Sequence, residues 1–256
     1  MILCIDVGNS VAVGGVFAGD DLRFQFRLTT PDKPSSDQLG IFLRSALREN
    51  GVDPASIDEI ALCSVVPDLL HSLRNACLKY FEREPFVLQP GSKTGLRILY
   101  TDPREVGADR IADAIAAIDR FPDEDLIVVD FGTATTIEVI TAGREYLGGA
   151  ILPGVRLSME ALDGGTAKLP AVEIVRPAMA VARSTVGSIQ SGLYYGCLGA
   201  IRLLLERIAE EAFAGRRPTV VATGGFSSLF RDEPDFDHVI PDLTLHGLRL
   251  ALARNR

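Results

Sequence analysis

Two similar segments, one at the N-terminus and one near the middle of the chain, constrain the fold most strongly. Each has an aspartate at the carboxyl end of an apolar run, followed by glycine and by hydroxyl or amide side chains, at residues 5–10 (Ile-Asp-Val-Gly-Asn-Ser) and 129–136 (Val-Asp-Phe-Gly-Thr-Ala-Thr-Thr). Asp6 and Asp130 are 124 positions apart in a chain of 256 residues. One such segment is typical of an ordinary β-turn, but the pair predicts two similar halves whose loops serve one ligand.

The residue types in these loops suit a nucleotide phosphate. An aspartate at a strand end can hold a cation or its water, and glycine lets backbone N–H groups approach a phosphate closely. Hydroxyl side chains add further hydrogen bonds. A third turn, Gly224-Gly225, follows a short β-rich run. The sequence contains neither the P-loop pattern nor the dinucleotide G-x-G-x-x-G pattern, so phosphate binding must use a different architecture.

Composition excludes several classes of protein. The formal net charge of −8 argues against a broad surface for nucleic acid. No apolar run reaches the roughly 18 residues of a membrane span, and the N-terminus resembles a strand rather than a signal peptide. We therefore expect a cytoplasmic protein with no nucleic-acid or membrane partner. The cysteines are too scattered to predict a zinc site or a nucleophilic-cysteine enzyme, at Cys4, Cys63, Cys77 and Cys197.

Hydrophobic periodicity predicts a mixed α/β fold with two subdomains, residues 1–122 and 123–256. A three-stranded meander is expected at residues 2–7, 11–17 and 22–27, and further strands at 60–66, 126–130, 135–141, 146–152 and 219–223. Helices are expected at 36–48 with Ser36 or Asp37 as N-cap, at 67–81, from Pro103 with Asp102 as N-cap, at 184–213 and at 243–253.

The segment Gly107-Ala108-Asp109-Arg110 allows two interpretations. Its carboxylate could accept a proton from a substrate hydroxyl, and its guanidinium could bind an anionic group through two hydrogen bonds. Alternatively, Asp109, Arg110 and Asp113 form an ion-paired helix surface, because Asp109 and Asp113 are four residues apart. Spacing alone favours the helix surface, since surface ion pairs are common and weak.

The order of motifs along the chain resembles that of type III pantothenate kinases. The resemblance covers nearly the whole chain and rests on residues 6–9, 64–67, 107–110, 130–136, 147–150, 185–192, 223–225 and 243–248. It implies a duplicated actin-like (ribonuclease H-like) ATPase fold, with a nucleotide cleft between two similar subdomains, in a homodimer. It also implies ATP-dependent phosphorylation of pantothenate to 4′-phosphopantothenate, the first step of coenzyme A biosynthesis.

The resemblance also implies roles for individual residues. Asp109 would be the general base. Pantothenate would be bound by Tyr100, Gly107, Ala108, Asp109, Arg110 and, from the neighbouring subunit, Thr185. ATP with Mg²⁺ would be bound by Thr133 and by the first loop, which comprises Asp6, Val7, Gly8, Asn9, Ser10, Val11, Ala12 and Val13. Asp130 would hold a monovalent cation, K⁺ or NH₄⁺.

The chain departs from the family pattern at three positions. Val11 and Ala12 stand where family members usually carry a polar pair, and Glu138 stands where aspartate is common. The first departure leaves open an alternative, a catalytically weak regulatory paralogue that keeps the kinase fold and acts through protein partners. An actin-like ATPase or a polyphosphate-handling phosphatase would share the fold, but would explain residues 107–110 less well.

Overall fold

The first sheet grows from the N-terminal meander. The computed structural model describes residues 1–30 and 34–256. Its first three strands are β1 (Ile2–Val7), β2 (Val11–Ala18) and β3 (Asp21–Thr29), and β2 pairs antiparallel with both β1 and β3. Strands β4 (Glu59–Ser64) and β5 (Phe86–Val87) continue the sheet in parallel on the other side of β1, so that the order is β3-β2-β1-β4-β5.

The second sheet repeats this plan. Strands β7 (Leu126–Phe131), β8 (Ala134–Ile140) and β9 (Glu145–Pro153) form another antiparallel meander, and β10 (Thr219–Thr223) and β11 (His238–Val239) extend it in parallel beside β7. Strand β6 (Arg97–Ile98) pairs in parallel with β9, giving the order β11-β10-β7-β8-β9-β6. The duplication predicted from the two aspartate loops is therefore present in the strand topology.

Local sequence explains where the helices begin. Helix α1 (Ser36–Glu49) starts with a capping box made by Ser35 and Gln38, so Ser35 is the N-cap rather than the predicted Ser36 or Asp37. Helix α2 (Pro67–Phe81) begins with proline at its first position, where a missing N–H costs nothing. Helix α5 (Thr185–Phe213) is capped by Ser184, whose hydroxyl accepts a hydrogen bond from the Gly187 N–H.

The helix expected from Pro103 is divided in two. Residues Pro103–Glu105 form a 3₁₀ turn capped by Asp102, and α3 (Ala108–Arg120) begins only after Gly107. Helix α6 (Leu243–Arg254) ends the chain as predicted. Helix α4 (Val155–Gly165) and the two-residue strands β5, β6 and β11 were not predicted.

The residues pack into two compact units. Unit 1 comprises residues 1–95, 101–116 and 243–256, and unit 2 comprises residues 96–100 and 117–242. In unit 1, α1 and α2 cover the first sheet around a core that includes Leu3, Leu43 and Leu73. In unit 2, α5 packs on the second sheet around a core that includes Phe131, Tyr194 and Phe230. These two units are defined by packing alone. The predicted boundary between subdomains 1–122 and 123–256 stays a prediction.

None of the helices in residues 1–30 and 34–256 has both the length and the apolar character needed to cross a membrane.

Candidate active site

The first aspartate loop connects β1 to β2 in unit 1. Asp6 is the penultimate residue of β1, and its register partner on β4 is Cys63. The Cys63 Sγ donates a hydrogen bond of 3.0 Å to Asp6 Oδ1. Burial holds the pKa of the Cys63 thiol well above its usual range, so the thiol stays protonated and serves as a donor to the carboxyl group.

Asp6 lies in an environment that opposes its negative charge. Burial and, to a smaller extent, the nearby Asp109 carboxylate together raise the pKa of the Asp6 carboxyl to about 7, and the hydrogen bond from Cys63 opposes part of this rise. The structure therefore brings Asp6 and Asp109, 103 positions apart in sequence, into electrostatic contact within unit 1. Two neighbouring carboxyls in a buried setting favour a bound cation.

The loop itself is a tight turn of Gly8, Asn9 and Ser10. The Gly8 N–H donates to the Val11 carbonyl at 3.1 Å. The Val7 and Ala12 side chains belong to the hydrophobic core of unit 1. The side chain at position 12 therefore lies in the core, so the replacement of a polar residue by Ala12 removes no contact directed out of the core.

The Gly-Ala-Asp-Arg segment opens α3. The Asp109 Oδ1 accepts a hydrogen bond of 2.8 Å from the Arg110 N–H, which fixes the carboxylate at the start of the helix. A Cβ on Gly107 would overlap that same carboxylate oxygen, so glycine is needed to make room for it. One carboxylate oxygen of Asp109 is thus held by this hydrogen bond, and the second oxygen takes no part in it.

The alternative of an exposed helix surface is wrong for two of its three residues. Arg110 is only 7% exposed and Asp113 only 1% exposed. The Thr244 hydroxyl, at the start of α6, donates to Asp113 Oδ1 at 2.7 Å. Buried charged groups of this kind are rare unless they have partners or a function, and sequence spacing gave no signal of their burial.

The second aspartate loop connects β7 to β8 in unit 2. Asp130 is the penultimate residue of β7, and its register partners are Thr223 on β10 and Thr136 on β8. Register partners share one face of a sheet, with Cβ atoms about 5 Å apart. The Asp130 carboxylate also lies against Gly224, whose φ of +86° is a conformation that favours glycine, and a Cβ there would overlap Asp130 Oδ1.

The surroundings of Asp130 fit a small cation. The hydroxyls of Thr136 and Thr223 are buried, and neither has a hydrogen-bond partner among the described residues. A buried hydroxyl without a partner is unfavourable, and a bound ion or water is one way to satisfy it. Carboxylate and hydroxyl oxygens are suitable ligands for a hard cation. Sequence reasoning assigned the cation to Asp130 alone, and gave no such role to Thr136 and Thr223, although both lie in motifs that it identified.

Within residues 1–30 and 34–256, no group of three or more His, Cys, Asp or Glu side chains is placed to hold a metal ion.

The remaining site residues predicted from the resemblance lie mainly in unit 2. Tyr100 follows β6, and its ring lies 3.3 Å from where a Cβ on Gly148 would be. Thr133 is an exposed residue of the second loop. Thr185, the first residue of α5, lines a cavity of about 470 Å³ together with apolar residues of α4 and α5, including Leu162, Ile189 and Leu193.

Comparison with known proteins identifies the family. The family model for type III pantothenate kinase matches residues 2–207. A type III pantothenate kinase of Legionella pneumophila (strain Corby) is 58% identical over 255 residues, covering 100% of this chain and 99% of the relative. One from Elusimicrobium minutum (strain Pei191) is 48% identical over 256 residues, with the same coverage. The chain belongs to the type III pantothenate kinase family.

Solved structures agree on the fold. A protein from Campylobacter jejuni, described as a Baf family transcriptional activator, superposes with a TM-score of 0.62 at 22% identity, covering 99% of this chain and 98% of the other. A 2-dehydro-3-deoxygalactonokinase from Sinorhizobium meliloti gives 0.61 at 13% identity, covering 98% and 96%. A ROK family glucokinase from Streptomyces griseus gives 0.51 at 13% identity, covering 99% and 98%. The predicted actin-like ATPase fold is confirmed.

The raised pKa of Asp6 predicts a specific pH dependence of stability. A carboxyl with a higher pKa in the folded than in the unfolded state contributes stability that is full below about pH 4 and is lost as the pH rises through about 7. Between pH 5 and pH 8 we expect the free energy of unfolding of the wild type to fall by about 2–3 kcal/mol relative to Asp6→Asn. Urea unfolding at both pH values measures this difference. Asp119→Asn, an exposed carboxyl on α3, is the control, and equal pH dependence in all three proteins would contradict the prediction.

Proposed function

We propose that this protein transfers the γ-phosphoryl group of ATP to the primary hydroxyl of pantothenate, with Asp109 as the general base. The observation that carries this proposal is the position of Asp109, fixed at the start of α3 and close enough to Asp6 to raise its pKa. A candidate base thereby lies beside a loop whose glycine and backbone N–H groups suit phosphate.

The chemical step requires positioning more than covalent assistance. The hydroxyl oxygen of pantothenate forms a bond to the γ-phosphorus, the bond from that phosphorus to the bridging oxygen breaks, and ADP leaves. The hydroxyl proton moves to the Asp109 carboxylate. Arg110, a buried guanidinium two residues into α3, is the proposed partner for the substrate carboxylate, because it supplies paired N–H donors.

A divalent metal ion, which accompanies ATP in kinases, would neutralise phosphate charge during transfer. Asp6 is the residue of unit 1 that best fits contact with this ion or its water. The carboxyl is destabilised as an anion by burial and by Asp109, and a cation nearby removes both penalties. Asp6 would therefore release a proton when the metal-bound nucleotide binds.

The proposed monovalent cation, K⁺ or NH₄⁺, would lie beside Asp130. Its support is the carboxylate at the end of β7, flanked by the partnerless hydroxyls of Thr136 and Thr223. Thr133, in the same loop, is the proposed contact to ATP, and the role of such a cation would be to offset phosphate charge.

We further propose a homodimer in which Thr185 of one subunit and Tyr100 of the other contribute to one pantothenate site. Helix α5 supports this, because one of its faces is exposed and carries the small residues Gly192, Gly196 and Gly199, where an added Cβ would meet no atom within 4 Å. Exposed apolar side chains accompany them, at Val186, Tyr195 and Leu203. Small residues of this kind permit close approach of a second helix, and exposed apolar groups mark interaction surfaces.

The proposed location is the cytoplasm, where ATP is available.

Replacing Asp109 tests the base directly. We expect Asp109→Asn to lower kcat by roughly 10²–10⁴-fold, because proton acceptance in the transition state is lost. A coupled assay of pantothenate-dependent ADP release measures this, with Asp119→Asn on the same helix as the matched control. Gly107→Ala keeps the carboxylate but displaces it, and should also lower kcat.

Substantial turnover by Asp109→Asn would remove the proposed base. If the folded wild type shows no pantothenate-dependent turnover at millimolar ATP, the proposal fails and a regulatory paralogue becomes the better interpretation.

The cation site predicts opposite effects of one substitution with and without K⁺. Thr223→Val replaces a buried, partnerless hydroxyl by a group of the same shape, which is neutral or stabilising for the cation-free protein. It also removes one oxygen ligand, so the K⁺ concentration needed for half-activation should rise by about tenfold. Melting temperature and activity in K⁺ and Na⁺ measure both effects, with Thr223→Ser as the control. An unchanged K⁺ response in both Thr223→Val and Asp130→Asn would contradict this site.

The dimer predicts that adding bulk to α5 separates the subunits. A Cβ added at Gly196 meets no atom of the described residues within 4 Å, and leucine improves helix propensity there by about 0.5–1 kcal/mol, so the Gly196→Leu subunit itself should fold. We expect light scattering to show about half the wild-type mass, and the KM for pantothenate to rise as Thr185 is lost from the site. Ser45→Leu, on an exposed face of α1, is the control. A dimeric Gly196→Leu protein would place the interface elsewhere.

A further inference from the structure

Thr30 makes an unusual set of contacts with the first aspartate loop. It follows β3 directly and is only 5% exposed. Its hydroxyl lies 3.1 Å from the Gly8 carbonyl oxygen and 2.8 Å from that of Asn9, and its single proton is shared between these two acceptors. Its backbone N–H donates to the Ser10 carbonyl at 3.2 Å. One residue therefore holds all three carbonyls of the turn.

These contacts determine the direction of the N–H groups. In a trans peptide, the C=O of one residue and the N–H of the next point in opposite directions, and the described chain contains no cis peptide bond. With the Gly8 and Asn9 carbonyls directed at Thr30, the N–H groups of Asn9 and Ser10 are directed away from it. Within the described residues, the Asn9 N–H donates to no other group.

The second aspartate loop shows a related arrangement by different means. The residue that follows its third strand, β9, is Gly154. A Cβ on Gly154 would overlap the carbonyl oxygens of Thr133 and Gly132. In each unit, the carbonyls of the aspartate loop thus face the residue that follows the third strand of the meander. A hydroxyl holds them in unit 1, and the backbone passes close to them in unit 2.

We infer that Thr30 is a positioning residue for the nucleotide phosphates, which it orients indirectly by fixing the peptide planes of residues 8–10. This inference rests on the proposed function and deepens it. The loop side chains Val11 and Ala12 offer no hydrogen-bond donors, so the backbone N–H groups supply a larger share of the donors to phosphate, beside the side chains of Asn9 and Ser10. When the Thr30 hydroxyl is removed, the Gly8 and Asn9 carbonyls lose their common partner and the two peptides can rotate.

A series at two adjacent threonines isolates the hydroxyl. Thr30→Val removes it and keeps the branched shape, Thr30→Ser keeps it, and Thr29→Val makes the same change at the exposed neighbour. Calorimetric titration with Mg²⁺-ADP should give a Kd about tenfold higher for Thr30→Val, and within twofold of the wild type for the other two proteins. The KM for ATP should rise with it, whereas the KM for pantothenate should change less than twofold.

Amide resonances provide a readout that strand packing alone would not change. Addition of Mg²⁺-ADP should shift the Asn9 and Ser10 amide signals of the wild type and of Thr30→Ser, but should shift them much less in Thr30→Val. If Thr30→Val does not fold, Thr30→Ala compared with Thr30→Ser makes the same distinction.

The outcomes separate this inference from the proposed function. If the wild type turns over pantothenate but Thr30→Val binds Mg²⁺-ADP equally well, Thr30 has no positioning role and the kinase proposal stands. An equal rise in both KM values would also overturn the role, because it would indicate general loosening. If the folded wild type binds no Mg²⁺-ADP, both proposals fail.

Discussion

A half-buried carboxylate near the carboxyl end of a central strand is the constraint around which each sheet is arranged. Such a group is unfavourable without partners, since burial opposes its charge. In unit 1, the thiol of Cys63 hydrogen-bonds to Asp6 from the neighbouring parallel strand. In unit 2, Thr223 occupies the corresponding position beside Asp130. In each unit, the strand that pairs in parallel with the aspartate-bearing strand therefore places a side chain capable of hydrogen bonding beside the carboxylate.

The two units differ on the antiparallel side of the same aspartates. The register partner of Asp6 on β2 is Val13, whereas that of Asp130 on β8 is Thr136. Asp6 thus has one polar neighbour in its own sheet, and a second carboxylate, Asp109, acts on it from α3. Asp130 has two hydroxyl neighbours. This difference suits the two proposed roles, because a strongly hydrated divalent ion needs concentrated negative charge, whereas a monovalent ion is satisfied by one carboxylate and neutral oxygens.

Sequence alone predicted the helices and strands that have a clear hydrophobic period, or a residue that marks where they begin or end. In the strands β1 to β3, apolar residues either alternate with polar ones or run continuously. Helix α2 was predicted with its observed bounds because Pro67 marks its start. The strands β5, β6 and β11 have two residues each, too few to show a period of two. Helix α4 ends in Gly164-Gly165 and lies between glycine-containing segments, which weakens any helical signal.

The candidate site shows where such reasoning ends. Aspartate followed by glycine is visible in the sequence, so Asp6 and Asp130 were predicted. Cys63 was not, because a cysteine within an apolar strand is indistinguishable from a small core residue until the register with β1 is known. Thr30 is 20 or more positions from the carbonyls that it holds, and no local pattern connects them. Asp109 was assigned through the family resemblance, since its spacing alone favoured an exposed ion pair.

These contacts make the electrostatic state of unit 1 depend on what it binds. Without a cation, burial and the proximity of Asp109 both favour a protonated Asp6. A proton on Asp6 and a nearby metal ion are alternative ways to relieve the same repulsion, so they compete. The Cys63 thiol, still protonated, hydrogen-bonds to Asp6 and offsets part of the cost of its charged form.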